Sequence, residues 1–317
     1  MQIRNQKITD KYALYHGDCC EVLPELTDES IGFSIFSPPF ADLYSYSDDD
    51  LDMSNTGSYE EFFEHLAFLI DQLFRITMLG RLVSVHCMDL PTFKRDGEVI
   101  GLREFPDDIV RAFKKKGFIY HSHHVIWKDP LLAAVRTKAI GLAHKQVVKD
   151  SSMTRAGIAD EIVTFRKPGE NSKLISHEGA LPKYHGARSV PKELDKYIGW
   201  KEPRTNKRSH WIWQQYASPV WFDIRQTKVL PFRDARDGDD VKHICPLQLD
   251  VIERCIALWS AKGDTVLTPF MGVGSEVYVA LQNKRRAVGV ELKGSYYRQA
   301  IENVKHAMKK RPSLLGV

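Results

Sequence analysis

The apolar run Ile31-Gly32-Phe33-Ser34-Ile35-Phe36 leads straight into Ser37-Pro38-Pro39-Phe40, and this junction constrains the fold more than any other stretch of the chain. A short, continuously apolar segment suits a strand covered on both faces. Two consecutive prolines lack the N–H groups that a strand ladder needs, so the strand must end there. A polar, acidic loop follows from Tyr44 to Thr56, after which Ser58 and Glu61 read as a capping box that opens a helix. Phe62, Leu66, Leu69, Leu73 and Ile76 recur at the 3.6-residue spacing of a core-facing stripe. Gly80 reads as the stop of this helix, and Arg81-Leu82-Val83-Ser84-Val85 as the next strand. Strand, helix and strand in that order form a βαβ unit, which demands a parallel sheet.

Two more strands are expected around His123-His124-Val125-Ile126-Trp127 and from Asp160 to Phe165, separated by a long polar loop from Arg136 to Arg155. Beyond Lys167-Pro168-Gly169 the character changes. From Glu170 to about Lys242 the chain is rich in Pro, Gly, charge and aromatics and keeps no period, which reads as an inserted smaller domain. The alternating pattern then returns. Leu249, Ile252, Ile256 and Trp259 share a helix face, Thr265-Val266-Leu267 is a strand, and a Gly-rich turn and a helix lead to the strand from Arg286 to Glu291. The expectation is an α/β fold, a doubly wound, mostly parallel Rossmann-like sheet, with residues 1–168 and 243–317 as its halves and 169–242 inserted between them. A length of 317 residues fits one such interrupted domain.

Composition removes several classes. With 43% hydrophobic and 27% charged residues the chain can bury a core and is neither disordered nor fibrous. No apolar run approaches the roughly 20 residues a bilayer requires, and the N-terminus has no secretory h-region. The five cysteines are scattered and form no CxxC pair, which predicts reduced thiols in a cytoplasmic protein with no structural zinc. His121, His123 and His124 alternate between strand faces and read as structural rather than as metal ligands.

Two turns carry candidate chemistry. In Thr268-Pro269-Phe270-Met271-Gly272-Val273-Gly274-Ser275, two glycines let the backbone turn tightly and approach a ligand, and Glu291 closes the following strand about 20 positions on, where such folds grip ribose hydroxyls. Val277 stands where a dinucleotide fingerprint needs its third glycine, which disfavours NAD and FAD. A ligand with ribose and adenine but no phosphate fits better, and S-adenosylmethionine is one. The plainer reading is a tight helix N-terminus between packed elements. At the other turn, Ser37 Oγ and the carbonyls freed by Pro38 and Pro39 can accept hydrogen bonds from a planar amine while Phe40 stacks on its ring. Here the plainer reading is a proline-capped strand end with a core phenylalanine.

These residues resemble a known family. Ser37-Pro38-Pro39-Phe40 is similar to the [S/D/N]-P-P-[Y/F] catalytic motif of DNA amino-methyltransferases, and Thr268 to Ser275 to their D-P-F-x-G-x-G-T cofactor motif. The catalytic motif comes first, which resembles the circularly permuted β class. His16-Gly17-Asp18-Cys19, Phe165-Arg166-Lys167-Pro168 and His243-Ile244-Cys245-Pro246-Leu247-Gln248 resemble flanking segments, so the likeness covers most of the chain. Thr268 departs from the usual Asp, and Ser275 from the usual Thr.

The resemblance implies S-adenosylmethionine held by Asp18, Thr268, Pro269, Phe270, Gly272, Gly274, Ser275 and Glu291. It also implies catalysis by Ser37, Pro38, Pro39 and Phe40 on a base flipped from double-stranded DNA. Asp18 reads equally as an Asx turn. Ser in the first motif position leans toward N4 of cytosine over N6 of adenine, and the family's habit suggests a homodimer. An RNA or protein methyltransferase and a catalytically silent DNA-binding regulator are the competing readings.

The net charge of +4 is too small for a purely electrostatic nucleic-acid binder. It is unevenly spread, however. Between Leu181 and His210, eight basic residues face three acidic ones, interleaved with Tyr184, Tyr197 and Trp200 and followed by Trp211 and Trp213. Arg188, Arg204, Lys207, Arg208 and Trp211 are the candidate DNA contacts of this insert, read as a target-recognition domain. Arg136, Lys145 and Arg155 on the earlier loop are candidate clamps on the DNA backbone. A solvated face over a small core and a solubilising loop are the respective alternatives.

Overall fold

The computed structural model describes residues 3–41, 51–92, 101–131, 144–177, 180–181, 183–235 and 246–309. Its strands are β1 (Asn5–Ile8), β2 (Tyr12–His16), β3 (Ile31–Phe36), β4 (Thr77–Cys87), β5 (Leu90–Thr92), β6 (Gly101–Arg103), β7 (Ile119–Ile126), β8 (Asp160–Arg166), β9 (Val220–Trp221), β10 (Thr265–Thr268) and β11 (Arg286–Glu291). The α-helices are α1 (Cys19–Val22), α2 (Tyr59–Ile76), α3 (Phe105–Lys115), α4 (Lys145–Lys149), α5 (Lys207–Tyr216), α6 (Leu249–Trp259), α7 (Ser275–Gln282) and α8 (Gly294–Lys309).

Nine strands form one sheet in the order β1-β2-β11-β10-β3-β4-β8-β7-β9, and β5 and β6 make a separate hairpin. From β2 to β4 all neighbours are parallel, β8 runs antiparallel to both β4 and β7, and β1 is an antiparallel edge. The doubly wound α/β expectation therefore holds. One core packs α6, α7 and α8 against the sheet through residues such as Ile252, Ile256, Val277 and Ala300. The other packs α1, α2 and α3 through Val22, Leu66, Leu69 and Phe113. The chain leaves β10 through α7 toward β11 and leaves β3 through α2 toward β4, so the crossovers diverge between β10 and β3. Open α/β sheets bind ligands at such a switch point, beyond the carboxyl ends of the strands.

Local chemistry explains these elements. Ser58 Oγ accepts the Glu61 N–H at 3.1 Å, as a capping box requires, but the Glu61 carboxylate reaches back to the Gly57 N–H at 2.6 Å. All five residues of the predicted α2 stripe are buried. One boundary needs correction: α2 ends at Ile76, where Thr77 turns to extended backbone, and Gly80 lies inside β4 rather than at the helix stop. Gly80 adopts φ +69° where the Asn171 backbone approaches, so no side chain fits there.

Described parts of the segment after Lys167 join the main sheet and its core. Its β9 pairs with β7 as the last strand of the main sheet, and Trp221, Ile224 and Leu230 join the core beneath α6. Arg254 of α6 is fully buried beneath Tyr184, Tyr216 and Trp221, with its guanidinium 5.2–5.4 Å from their ring centres and 2.6 Å from Asp223. Among the described residues, no helix is long and apolar enough to cross a membrane.

Candidate active site at the switch point of the sheet

The two chemically suggestive turns leave neighbouring parallel strands. Val266 and Leu267 of β10 pair with Phe33 and Ser34 of β3, so Ser37-Pro38-Pro39-Phe40 and Thr268 to Ser275 emerge side by side. Phe36 at the end of β3 meets Phe270 in the second turn, with ring centres 5.8 Å apart. Pro38 is buried, while Ser37, Pro39 and Phe40 are half-buried. The Phe40 ring meets Phe105 edge-on at 6.1 Å and His86 at 6.2 Å.

In the Gly-rich turn, Gly272 and Gly274 both take positive φ, +52° and +88°. Gly274 caps α7, and an added Cβ would lie 3.2 Å from that of Ala300. Among the described residues, an added Cβ on Gly272 would meet nothing within 4 Å, so this side of the turn is open to them. Glu291 braces the turn from below, accepting the Gly272 N–H at 2.7 Å and the Lys293 N–H at 2.8 Å. Burial pushes its carboxyl up to about 7 despite these two donors. The hydroxyls of Thr268 and Ser275 are buried and have no hydrogen-bond partner among the described residues. Buried polar atoms without partners are rare, and a pair of them beside an open, Gly-lined turn fits a polar ligand.

Asp18 follows β2, whose His16 pairs with Glu291, and Gly17 N–H donates to the Glu291 carbonyl at 3.0 Å. Asp18 Oδ1 accepts the Cys20 N–H at 3.0 Å, so the residue caps α1 at the same sheet edge. Asp18, Cys19 and Cys20 bring ligand-type atoms within 4.8 Å of one another. The buried Cys19 thiol is pushed up by its hydrogen bond with Cys20 and by burial.

Behind Ser37 lies a chain that sequence spacing did not reveal. His86 Nδ1 is 3.1 Å from Ser37 Oγ, His86 Nε2 is 3.4 Å from Asp160 Oδ2, and Lys128 Nζ pairs with Asp160 Oδ1. Burial pushes the Asp160 carboxyl up, but His86 and Lys128 outweigh it and hold the group at about 2. These residues lie on β4, at the start of β8 and two positions beyond the end of β7, far apart in sequence, and only the antiparallel pairing of β8 joins them.

The three β7 histidines sit elsewhere. His124 packs on Trp221 and Trp259, and burial lowers it to about 4. His121 meets Trp259 edge-on, and His123 pairs with Glu161 at 2.8 Å. A register shift between Tyr120 and Ser122 puts His121 and His124 on the same tryptophan.

The basic candidates differ in their commitments. Arg136 lies outside the described residues, as do His243 to Cys245. Lys145, at the start of α4, is exposed, and Arg155 instead donates to the Gly101 carbonyl at 3.1 Å. Arg204 and Lys207 are exposed around the start of α5. Arg188 lies over Trp211 at 6.0 Å and bonds Gln215, whereas Arg208 is paired with Asp195 at 2.8 Å. Trp211 also meets Tyr184 edge-on at 4.8 Å.

The chain is similar to known proteins over nearly its whole length. It is 24% identical to the type II methyltransferase M.BglI of Bacillus subtilis, over 95% of this chain and 88% of that protein. A Thermus thermophilus protein described as a candidate DNA modification methylase, solved with S-adenosyl-L-methionine, superposes with a TM-score of 0.61 at 21% identity, over 94% of this chain and 95% of that one. The PvuII DNA methyltransferase, cytosine-N4-specific, superposes with a TM-score of 0.60 at 14% identity, over 97% and 89% of the two chains. The profile of the N6_N4 DNA methylase family matches residues 31–302, from the strand before Ser37 into the last helix, and the chain belongs to that family.

Proposed function

We propose that the chain transfers a methyl group from S-adenosylmethionine to the exocyclic amine of a base flipped out of double-stranded DNA, N4 of cytosine before N6 of adenine. The observation that carries this reading is the emergence of the Ser-Pro-Pro-Phe and Gly-rich turns from adjacent strands at the switch point. The Thr268 and Ser275 hydroxyls, unpartnered among the described residues, the open face of Gly272 and the half-buried Glu291 carboxylate fit the cofactor, with Glu291 toward ribose hydroxyls and Pro269, Phe270, Gly274 and Asp18 completing its surround. Bound S-adenosylmethionine supplies an electrophilic methyl on a sulfonium.

The remaining work falls to the protein. An aromatic amine is a poor nucleophile because its lone pair is delocalised into the ring. Ser37 Oγ and the Pro38 carbonyl accept its two N–H groups and turn the lone pair out of the ring plane. Pro39 keeps the turn rigid, and Phe40 stacks on the extruded base. Catalysis then rests on positioning and electrostatics, with no covalent intermediate. The segment 169–242 is taken as the target-recognition insert, its Arg188, Arg204, Lys207 and Trp211 facing DNA and Lys145 reaching the backbone from α4. Arg155 and Arg208, already engaged within the protein, act as supports.

Incubation with unmethylated DNA and S-adenosylmethionine, followed by nucleoside mass spectrometry, tests this. N4-methylcytosine is the expected product. N6-methyladenine in its place moves the assignment of the base, and the absence of any methylated base overturns the proposal.

A further inference from the structure

We propose that His86 is a positioning residue that takes the hydrogen bond of the Ser37 hydroxyl and so leaves Ser37 Oγ to act purely as an acceptor for the target amine. This rests on the methyl-transfer reading of Ser37. A serine hydroxyl carries one donor and two acceptor lone pairs, and its hydrogen rotates to suit its surroundings. If that hydrogen turned toward the amine, it would compete with the methyl group for the nitrogen lone pair. The hydroxyl hydrogen therefore needs a partner on the side away from the base.

The geometry supplies one. His86 Nδ1 stands 3.1 Å from Ser37 Oγ, on the strand next to β3. Which ring nitrogen bears the proton is set by what faces the other nitrogen. Asp160 Oδ2 faces Nε2 at 3.4 Å, long for a hydrogen bond but close for a charge, and the Asp160 side chain is only 3% exposed. Lys128 neutralises the far oxygen of the same carboxylate and keeps it ionised. A carboxylate facing Nε2 selects the tautomer protonated there. Nδ1 is then bare and accepts the Ser37 O–H. The His86 side chain is 10% exposed, so water competes little for this nitrogen. The relation resembles that of a serine–histidine–aspartate triad, but the hydroxyl is oriented, not ionised, and no bond to the protein forms.

Two measurements test the assignment. In protein with ¹⁵N-labelled histidine, the His86 resonances, assigned by their loss in His86→Asn, should report the neutral Nε2–H tautomer; a proton on Nδ1 in the ground state, whether in the neutral ring or in the imidazolium, overturns the proposal. Single-turnover methylation then supplies a double-mutant cycle. His86→Leu should slow the wild-type step by about 10- to 100-fold, with the DNA KM and cofactor affinity unchanged, because the Ser37 donor becomes mis-aimed. In a Ser37→Ala background the same change should cost under about 2-fold, since no hydroxyl is left to orient. Equal losses in the two backgrounds overturn the proposal. Where Ser37→Ala leaves no measurable rate, His86→Asn, whose amide oxygen restores an acceptor, should recover most of the loss seen with Leu, and equal damage from Asn and Leu is the overturning result. Absence of methylation by the wild-type protein would instead remove the reading of Ser37 itself, and the NMR result would stand apart from it.

Discussion

Glu291 shows how a single side chain links fold stability to ligand binding. Its carboxylate closes the Gly-rich turn through the Gly272 and Lys293 N–H groups, yet the residue is half-buried, and the loss of solvation carries its carboxyl up to about 7, with Asp52 adding to the push. Glu276, in the first turn of α7, is pushed up to about 8 by burial and by Glu291. An acid raised in the folded state binds its proton more tightly there than in the unfolded chain. Its contribution to stability is therefore complete below the unfolded value of 4.5 and is lost as pH rises through the folded value. The melting temperature of the ligand-free protein should fall between about pH 5 and pH 8, and Glu291→Gln should flatten the lower part of that fall. Ribose hydroxyls donating to Glu291 favour the ionised form, so S-adenosylmethionine should raise the melting temperature more at about pH 8 than at about pH 6. At the other turn, Ser37→Ala removes one of the two acceptors proposed for the amine. A loss of about 100-fold in the single-turnover rate, with little change in cofactor affinity, is the expected result.

At the scale of elements, the N-terminus of α7 leaves the least room for change. Gly274 combines φ +88° with a Cβ direction that meets Ala300 of α8, so Gly274→Ala suffers both backbone strain and a clash between helices. Destabilisation of about 1–3 kcal/mol and weakened cofactor binding should appear together in thermal melts and calorimetry. Gly272→Ala, with open space beyond its Cβ, should be milder for the fold and affect mainly the ligand. Elements of this kind were legible in the sequence because their signals are local. The prolines ended β3, the serine opened α2, and the glycines marked the turn before α7. What was not legible depends on partners distant in the chain. The polar edge strand β1 and the two-residue β9 exist only because β2 and β7 offer them ladders. Gly80 looked like a helix stop because its left-handed backbone serves either a helix end or an irregular strand, and only the approach of Asn171 distinguishes the two. His86, Asp160 and Lys128 carry no spacing signal at all, since β4, β8 and β7 must pair before His86, Asp160 and the loop after β7 that carries Lys128 come together behind Ser37.

For the whole molecule, the modest excess of Lys and Arg over Asp and Glu becomes informative once the ion pairs are located. Arg254, Arg81 and Arg208 pair with Asp223, Asp264 and Asp195, and Lys167 and Arg155 donate to backbone carbonyls, so none of these five can reach phosphates without breaking an existing interaction. Lys145, Arg204, Lys207 and Arg188 are exposed, and if only these few side chains meet phosphates, non-specific binding should be weak and its salt dependence shallow. Each phosphate neutralised releases condensed counterion and contributes about −0.9 to the slope of log K against log salt on duplex DNA. Replacing Arg204 and Lys207 by Gln should therefore lower affinity on every sequence and reduce the magnitude of the slope by about 1 for each side chain that neutralises a phosphate. Arg208→Gln, which removes a residue already held by Asp195, should leave the slope nearly unchanged. Titrations of a random duplex at several salt concentrations separate these outcomes. A slope that is unaffected by Arg204→Gln and Lys207→Gln, with the protein still folded, would remove α5 and its approach from the DNA-binding face. Phosphate binding would then have to come from another surface of the same sheet edge.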